Sequence, residues 1–408
     1  MLNKKIHVIV KYFYPVAAGI ETNVMETYSI LATKGWDITI HTSQDTLIKK
    51  NYLIPEETIR GLKIKRYPYH WYGYRPEIDW NKADIVCLHN FNVSHIFVIF
   101  YSLFRKIIGR KKFALTLTPH GGFTPEWRIF SKWVALGKSL FHSTVGVLLI
   151  NTIIDKVRAV SEWEKDQIIA TGVKKEKVVV ISNGIEDEAY KNVDDLASEE
   201  IKKRVKTFGR YIIQIGRIYM IKNYEIVIRA LPSIPPDVKF VIAGPIGDEK
   251  YLKKLKDLIR SLCLENRVIF LGVIRGIDKY YFIKHATMMV HMALWESFCN
   301  VVHEGMSQGL ICVVANNTAL PYLIKNNING YLVETKDSVS LAHKVKYILA
   351  NYSIKRMNDM KMRNREFGLK DSWRSTAEQM KILYEKLVEN NINPNVEKLF
   401  PLRSLIPK

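Results

Sequence analysis

Apolar and polar positions along this chain fall into short, regularly spaced blocks. In the first half, apolar runs at Ile6–Val10, Ile38–His41, Ile85–Leu88, Phe113–Thr118, Lys156–Val160 and Val178–Ile181 have the length and β-branched content of buried strands. Helical spacing fills several gaps, as in Glu21–Lys34 and Glu162–Ala170. The second half repeats the style. Strands are expected at Tyr211–Ile215, Lys239–Ala243, Val268–Leu271, Met288–His291 and Leu310–Ala315. Helices are expected at Tyr224–Leu231, Lys250–Leu262, Asp278–His285, Asn300–Gln308 and Leu341–Asn351. Such alternation predicts parallel sheets with helices on their faces. The stretch 183–206 is polar and acidic and has the composition of a linker. A last amphipathic helix is expected at Ser372–Glu389. The pattern predicts an α/β protein of two doubly wound halves with a cleft between them, where ligands meet the carboxyl ends of strands.

Charge narrows the function. The 408 residues carry 61 Lys+Arg and 40 Asp+Glu, a net +21, so nucleic acid, anionic membrane and phosphorylated ligands are all admissible partners. Residues 101–150 hold eight basic groups and one acid, Glu126, while 201–408 hold 34 basic and 18 acidic groups. The excess is therefore a patch plus a broadly basic second half, not a terminal arm. No zinc-finger, RNA-recognition or basic-zipper signature is present, which argues against nucleic acid. In 97–138 aromatic and aliphatic residues interleave with cations: Phe97, Phe100, Tyr101, Phe104, Ile107 and Ile108 beside Arg105, Lys106, Arg110, Lys111 and Lys112. Trp127, Ile129, Phe130, Trp133 and Val134 then interleave with Arg128 and Lys132. Such a segment can lie on an anionic membrane, or be a core-facing helix with a solvated basic end. No apolar stretch reaches the roughly 18–20 residues of a membrane span, Ile96–Phe104 being the nearest. The chain opens directly into an expected strand rather than a secretory leader, and its four cysteines lack ligand spacing. A reducing, cytoplasmic location is expected, free or attached to the inner face of the cell membrane.

Four stations carry candidate chemistry. Lys11–Glu21 is a small-residue loop after the first strand, containing Gly19; it allows close backbone approach to a ligand or is a plain connection. His120, followed by two glycines, stands at the end of Phe113–Thr118, either in a cleft or as an ordinary buried histidine. Gly216-Arg217, then Lys222-Asn223, follow Tyr211–Ile215; two such cations can neutralise a diphosphate or simply be solvated. Glu296 ends a strand–loop and Glu304 lies inside the next helix, roughly 12 Å further along by helical rise. That separation exceeds the paired carboxylates of a glycosidase and suits two contacts on one extended ligand. No two Asp are two positions apart, so a diphosphate-chelated metal is not expected and fixed cations would take its role.

These stations, in this order, resemble the GT-B glycosyltransferases of the retaining family numbered 4, over about Ile6 to Leu387. The similarity is carried by Gly216-Arg217, Lys222-Asn223, Phe240–Gly244, Val268–Gly272, Glu296-Ser297-Phe298 and Glu304-Gly305, with Val160-Ser161-Glu162 and Ile181–Ile185 in support. The resemblance implies a Rossmann-like acceptor-side domain at 1–196, a Rossmann-like nucleotide-sugar domain at 197–371, and a helix and tail at 372–408 crossing back to the first. It implies no cofactor and no metal, but a nucleotide-diphosphate sugar as donor, UDP-glucose first and GDP-mannose second. Arg217 and Lys222 would grip the diphosphate, Glu304 the ribose, Glu296 the transferred sugar. Backbone at Phe298, Cys299, Asn300 and Val301 would bind sugar and phosphate; Gly216 would sit beside them and Val273 would meet the base. Gly19 would approach the donor phosphates and His120 the sugar. Ala18 and Cys299 stand where the family often has glycine. The implied reaction is front-face hexosyl transfer, with retention, to a hydroxyl of a glycan or lipid-linked glycan. A sugar-nucleotide epimerase on the same fold is the alternative.

Overall fold

A computed structural model describes residues 4–16, 19–46, 49–91, 93–123 and 132–392. Chain contacts divide it into two units, Met1–Ser182 with Trp373–Lys408, and Asn183–Ser372.

The first unit holds β1 (Lys5–Ile9), β2 (Asp37–Ser43), β3 (Glu56–Ile59), β4 (Leu62–Tyr67), β5 (Ile85–His89), β6 (Ala114–Thr118), β7 (Lys156–Ala159) and β8 (Val178–Val180). Their order across the sheet is β3-β4-β2-β1-β5-β6-β7-β8. All neighbours pair in parallel except β3 and β4. That antiparallel hairpin escapes the sequence pattern. Glu56, Lys63 and Lys65 give it an edge-strand composition, polar toward solvent and apolar only at alternate positions. The C-terminal helix Trp373–Ile392 belongs to this unit. Its Ala377, Met380, Tyr384 and Leu387 share a core with Ile6, Val8 and Val24.

The second unit holds β9 (Tyr211–Ile215), β10 (Lys239–Ala243), β11 (Val268–Gly272), β12 (Met288–His291), β13 (Cys312–Ala315) and β14 (Gly330–Val333), all parallel, ordered β11-β10-β9-β12-β13-β14. The 183–206 stretch is not a free linker. Ala189, Val193, Ala197, Val205 and Phe208 enter this unit's core, so its acids decorate the outer face of a packed segment. β14 was too short and too glycine-flanked to stand out.

Lys132–Ile153 is a continuous helix of 22 residues, long and apolar enough to cross a membrane, where no such stretch was expected. Lys138 and the small polar residues Ser139, Ser143 and Thr144 break the apolar run on paper, but a helix spreads them around its girdle.

Candidate active site

Each sheet has one place where strand order reverses: β1 beside β5 in the first, β9 beside β12 in the second. There the loops leaving two adjacent carboxyl ends diverge, and a crevice opens at the strand ends. Most of the sequence-predicted residues follow the strands beside these two places, while Val273 follows the edge strand β11 and His120 follows β6.

In the second unit β9 runs into Gly216. Gly244, after β10, approaches so closely that an added Cβ would lie 2.1 Å from the Gly216 carbonyl oxygen. Arg217 is exposed, its Cγ and Cδ packed against Gly247, where a Cβ would come within 2.5 Å. The chain turns through Met220–Lys222 into Asn223, whose φ of 52° is left-handed. Asn223 Nδ2 donates to the carbonyls of Met292 at 3.0 Å and Thr335 at 2.9 Å, and Gln214 Nε2 donates to the Lys222 carbonyl at 2.7 Å. These bonds hold the turn that presents Lys222.

β12 supplies the other half. Lys222 Nζ lies 2.5 Å from Glu296 Oε1, and His291 Nε2 lies 2.8 Å from the same oxygen. Burial favours a neutral Glu296, but the ammonium and the imidazole override it and hold the carboxyl at about 2. Burial likewise opposes the charge on Lys222, yet Glu296 raises its pKa above the ordinary value. His291 is pushed down by burial, so it is neutral and its Nε2–H donates to Glu296, leaving a buried Nδ1 without a hydrogen-bond partner.

Cys299 precedes the helix Asn300–Ser307 with φ 77°, a left-handed conformation that costs a side chain roughly 1–2 kcal/mol and that glycine adopts freely. Burial pushes its thiol well up. His291, Glu296 and Cys299 bring three potential metal-ligand atoms within 4.8 Å, although the Lys222 ammonium already occupies the Glu296 oxygen and the thiol keeps its proton. Asn300 Oδ1 accepts from Asn183 Nδ2 at 3.0 Å, the Phe298 ring packs edge-on to His303 at 5.7 Å, and Val301 is half-buried in the first turn.

Glu304, further along that helix, is buried 3.2 Å from Lys279, which also pairs with Glu186 at 2.7 Å. Burial raises the Glu304 pKa and Lys279 restrains it. Its Oε2 has no hydrogen-bond partner, an open acceptor suited to a hydroxyl donor. Val273 is exposed at the rim of a pocket of about 500 Å³, with Leu271, Arg204, Arg275 and Phe282.

In the first unit Gly19 opens the helix Gly19–Thr33, with nothing within 4 Å of where its Cβ would stand. Ala17 and Ala18 lie outside the described residues. His120 follows β6 with φ 51°. Its Nε2 meets His89 Nδ1 at 2.9 Å, and His89 Nε2 meets the Tyr28 hydroxyl at 3.0 Å. Tyr28 in turn bonds the Tyr384 hydroxyl at 2.7 Å, which Cys87 Sγ reaches at 3.1 Å. Burial first, and the Arg158 charge second, hold His120 down at about 3, so it is neutral at physiological pH. Glu164 accepts from the backbone N–H of Gly121 and from that of Val160 at 2.7 Å, fixing the turn after His120; burial pushes its carboxyl up to about 7.

Sequence reasoning missed His291, His89, Lys279 and Gln214, and named Asn223 without its part in holding the turn. For both histidines a signal existed: like His120, each stands at the carboxyl end of a strand. Lys279 had none, because its partners come from two distant segments.

Residues 197–367 match the family described as glycosyl transferases group 1, and residues 17–189 match glycosyltransferase family 4. The chain belongs to the GT-B glycosyltransferases of family 4. Among its relatives is an uncharacterized glycosyltransferase of Methanocaldococcus jannaschii, 29% identical over 243 residues, covering 57% of this chain and 60% of that one. Another is the Campylobacter jejuni N-acetylgalactosamine-N,N'-diacetylbacillosaminyl-diphospho-undecaprenol 4-alpha-N-acetylgalactosaminyltransferase, 26% identical over 235 residues, 56% of this chain and 60% of that one. The chain thus spans about three fifths of the length of these relatives. The GT-B fold is shared with Anabaena HepE in complex with UDP-glucose, at TM-score 0.73 and 19% identity, over 94% of this chain and 99% of that one.

Proposed function

We propose that this GT-B protein transfers a hexose, with retention, from a nucleotide-diphosphate sugar to a hydroxyl of a glycan or lipid-linked glycan. The observation that carries the reading is the Lys222–Glu296–His291 cluster at the strand reversal of the second sheet, with the open Glu304 carboxylate on the helix that follows. An ionised Glu296 is an acceptor for sugar hydroxyls. Lys222 and Arg217 are cations for the departing diphosphate, and the half-turn Cys299–Val301 offers backbone N–H groups at a helix start. The acceptor hydroxyl attacks the anomeric carbon on the face the diphosphate leaves. The C–O bond to phosphate breaks, and the leaving phosphate oxygen takes the hydroxyl proton. The protein's contribution is positioning and charge stabilisation. His120, neutral and held by His89, is proposed to meet the transferred sugar.

UDP-glucose is the first donor to test, supported by the ligand of the Anabaena protein, and GDP-mannose the second. A lipid-linked acceptor is supported by the name of the Campylobacter relative. The test is radiolabelled sugar transfer to a membrane extract from each of a panel of nucleotide sugars, with product stereochemistry read by NMR. Transfer with retention supports the proposal; donor turnover to an epimer without acceptor overturns it. Fixed cations at the diphosphate lead us to expect activity in excess chelator. Complete loss there, restored by magnesium, would reject that part. The four free cysteines suit a cytoplasmic location, which fractionation of tagged protein tests.

A further inference from the structure

The first unit carries an apolar surface that its own fold leaves uncovered. Of the most apolar stretch of the helix Lys132–Ile153, only 22% is buried. Ala135, His142, Gly146, Ile150 and Ile153 form the stripe that packs onto the domain, at helical spacing. The other side presents Trp133 (82% exposed), Leu136, Leu140 (62%) and Leu148 (67%). The helix Ile96–Ile107 packs beside the end of that helix, tied by the Lys106 ammonium to the Thr152 carbonyl. It adds Phe100 (63% exposed), Phe104 and Ile107 (75%). At its other end Phe97 meets Tyr72 edge-on at 5.9 Å, and Tyr72 meets Trp71, itself 88% exposed, at 5.4 Å. Exposed side chains of this size and continuity mark an interaction face rather than scattered surface residues.

Charge identifies the partner. Between Asp84 and Asp155 the chain contains eight Lys and Arg and one acid, Glu126. Lys111 pairs with Asp155, while Arg110, Lys112, Lys132 and Lys138 are exposed on the two helices or just beyond them. A second copy of the chain would set like charges against each other across a two-fold axis, which association disfavours. An anionic bilayer satisfies both halves of the surface: apolar side chains enter the headgroup boundary and cations meet lipid phosphates. Crossing the bilayer would strip this helix from its domain. Its buried stripe packs into the core around Phe91, whose ring meets that of His142 at 5.8 Å, so withdrawal would open the domain. We propose that this face docks in the plane of an anionic membrane. Trp133, Leu136, Leu140, Phe100, Phe104 and Ile107 would insert, and Arg110, Lys112, Lys132 and Lys138 would bind headgroups. Trp127, Arg128, Ile129 and Phe130, expected in the same face, lie outside the described residues.

The inference is independent of the reaction and is tested without activity. Full-length protein is floated with vesicles of phosphatidylcholine alone, and with vesicles containing phosphatidylglycerol. Binding at low salt is expected to be at least ~10-fold stronger to the anionic vesicles, because cations near the surface are attracted to anionic lipid. Trp133→Ser with Leu140→Ser is expected to lower it ~10-fold without lowering the melting temperature, since both side chains are exposed. Arg110→Glu with Lys112→Glu is expected to erase the preference for anionic lipid. Absence of flotation at low salt, or equal flotation of both double variants and the parent, overturns the proposal. So does a dimer in analytical ultracentrifugation that the Trp133→Ser, Leu140→Ser variant dissolves while vesicle binding is unchanged.

Discussion

Single side chains of the second unit carry the proposed chemistry. Lys222→Ala removes the cation that keeps Glu296 ionised and would stabilise a leaving diphosphate. Turnover is expected to fall by ~10²–10³ with the fold retained, as a melting curve and steady-state rates would show. Lys279 acts through Glu304. In Lys279→Met the carboxyl loses its counter-cation, so its raised pKa rises further and the ionised acceptor is lost at a higher pH. Donor KM should increase ~10-fold with kcat nearly unchanged, and the acid limb of kcat/KM should move to higher pH, while Lys279→Arg restores both. At Cys299 the backbone gives the glycine common in the family a physical reason. Its left-handed backbone is the conformation glycine takes without strain. Cys299→Gly should therefore fold and turn over normally, whereas β-branched Cys299→Val should cost about 1–2 kcal/mol in urea unfolding.

At the scale of elements, the sites are products of strand order. Lys222 leaves β9 and Glu296 leaves β12, 74 residues apart in sequence, and they meet because these strands are neighbours across the reversal. The close approach of Gly244 to Gly216 keeps the β9 and β10 loops together. Gly244→Ala places a methyl group on a carbonyl oxygen. It is expected to destabilise the protein by roughly 3 kcal/mol or more and to weaken donor binding, readable by thermal shift with UDP. Most strands and the helices Glu162–Ala170, Tyr224–Ala230 and Asn300–Ser307 were legible because buried strands are apolar runs and surface helices carry a period. The β3–β4 hairpin was not, since its stability comes from pairing with a neighbour rather than from its own composition.

For the molecule as a whole, buried histidines set the response to acid. His7, His95 and His303 have pKa values of about 4, and His120 of about 3, all from burial. Each is neutral when folded but takes a proton near 6.5 when unfolded, so the unfolded state binds more protons and stability falls as pH drops below 6.5. Glu164 has the opposite sign. Its folded value of about 7 means that its contribution is present below 4.5 and lost as pH rises through 7. Burial lowers eight histidines, His41, His89, His142 and His291 besides these four, and raises three carboxyls, Glu164, Glu304 and Asp371; the histidines prevail and predict a melting temperature that declines from pH 6.5 to 4, measurable by calorimetry. A flat profile across that range would contradict the burial of these rings.

The sequence alone determined the class of the fold and the strands and helices with strong periods, and it marked Arg217, Lys222, Glu296 and Glu304 as candidates, because local apolar patterning and residue chemistry are written position by position. It also located the basic aromatic segment of the first unit. Only the tertiary structure decided which of these residues meet. It joined Lys222 and His291 to one Glu296 oxygen, gave Glu304 a partner in Lys279, and linked His120 through His89 and Tyr28 to Tyr384 on the last helix. It also turned the interrupted apolar stretch after 131 into one exposed helix. Contacts between residues far apart in the chain depend on sheet order and packing, and no local pattern encodes them.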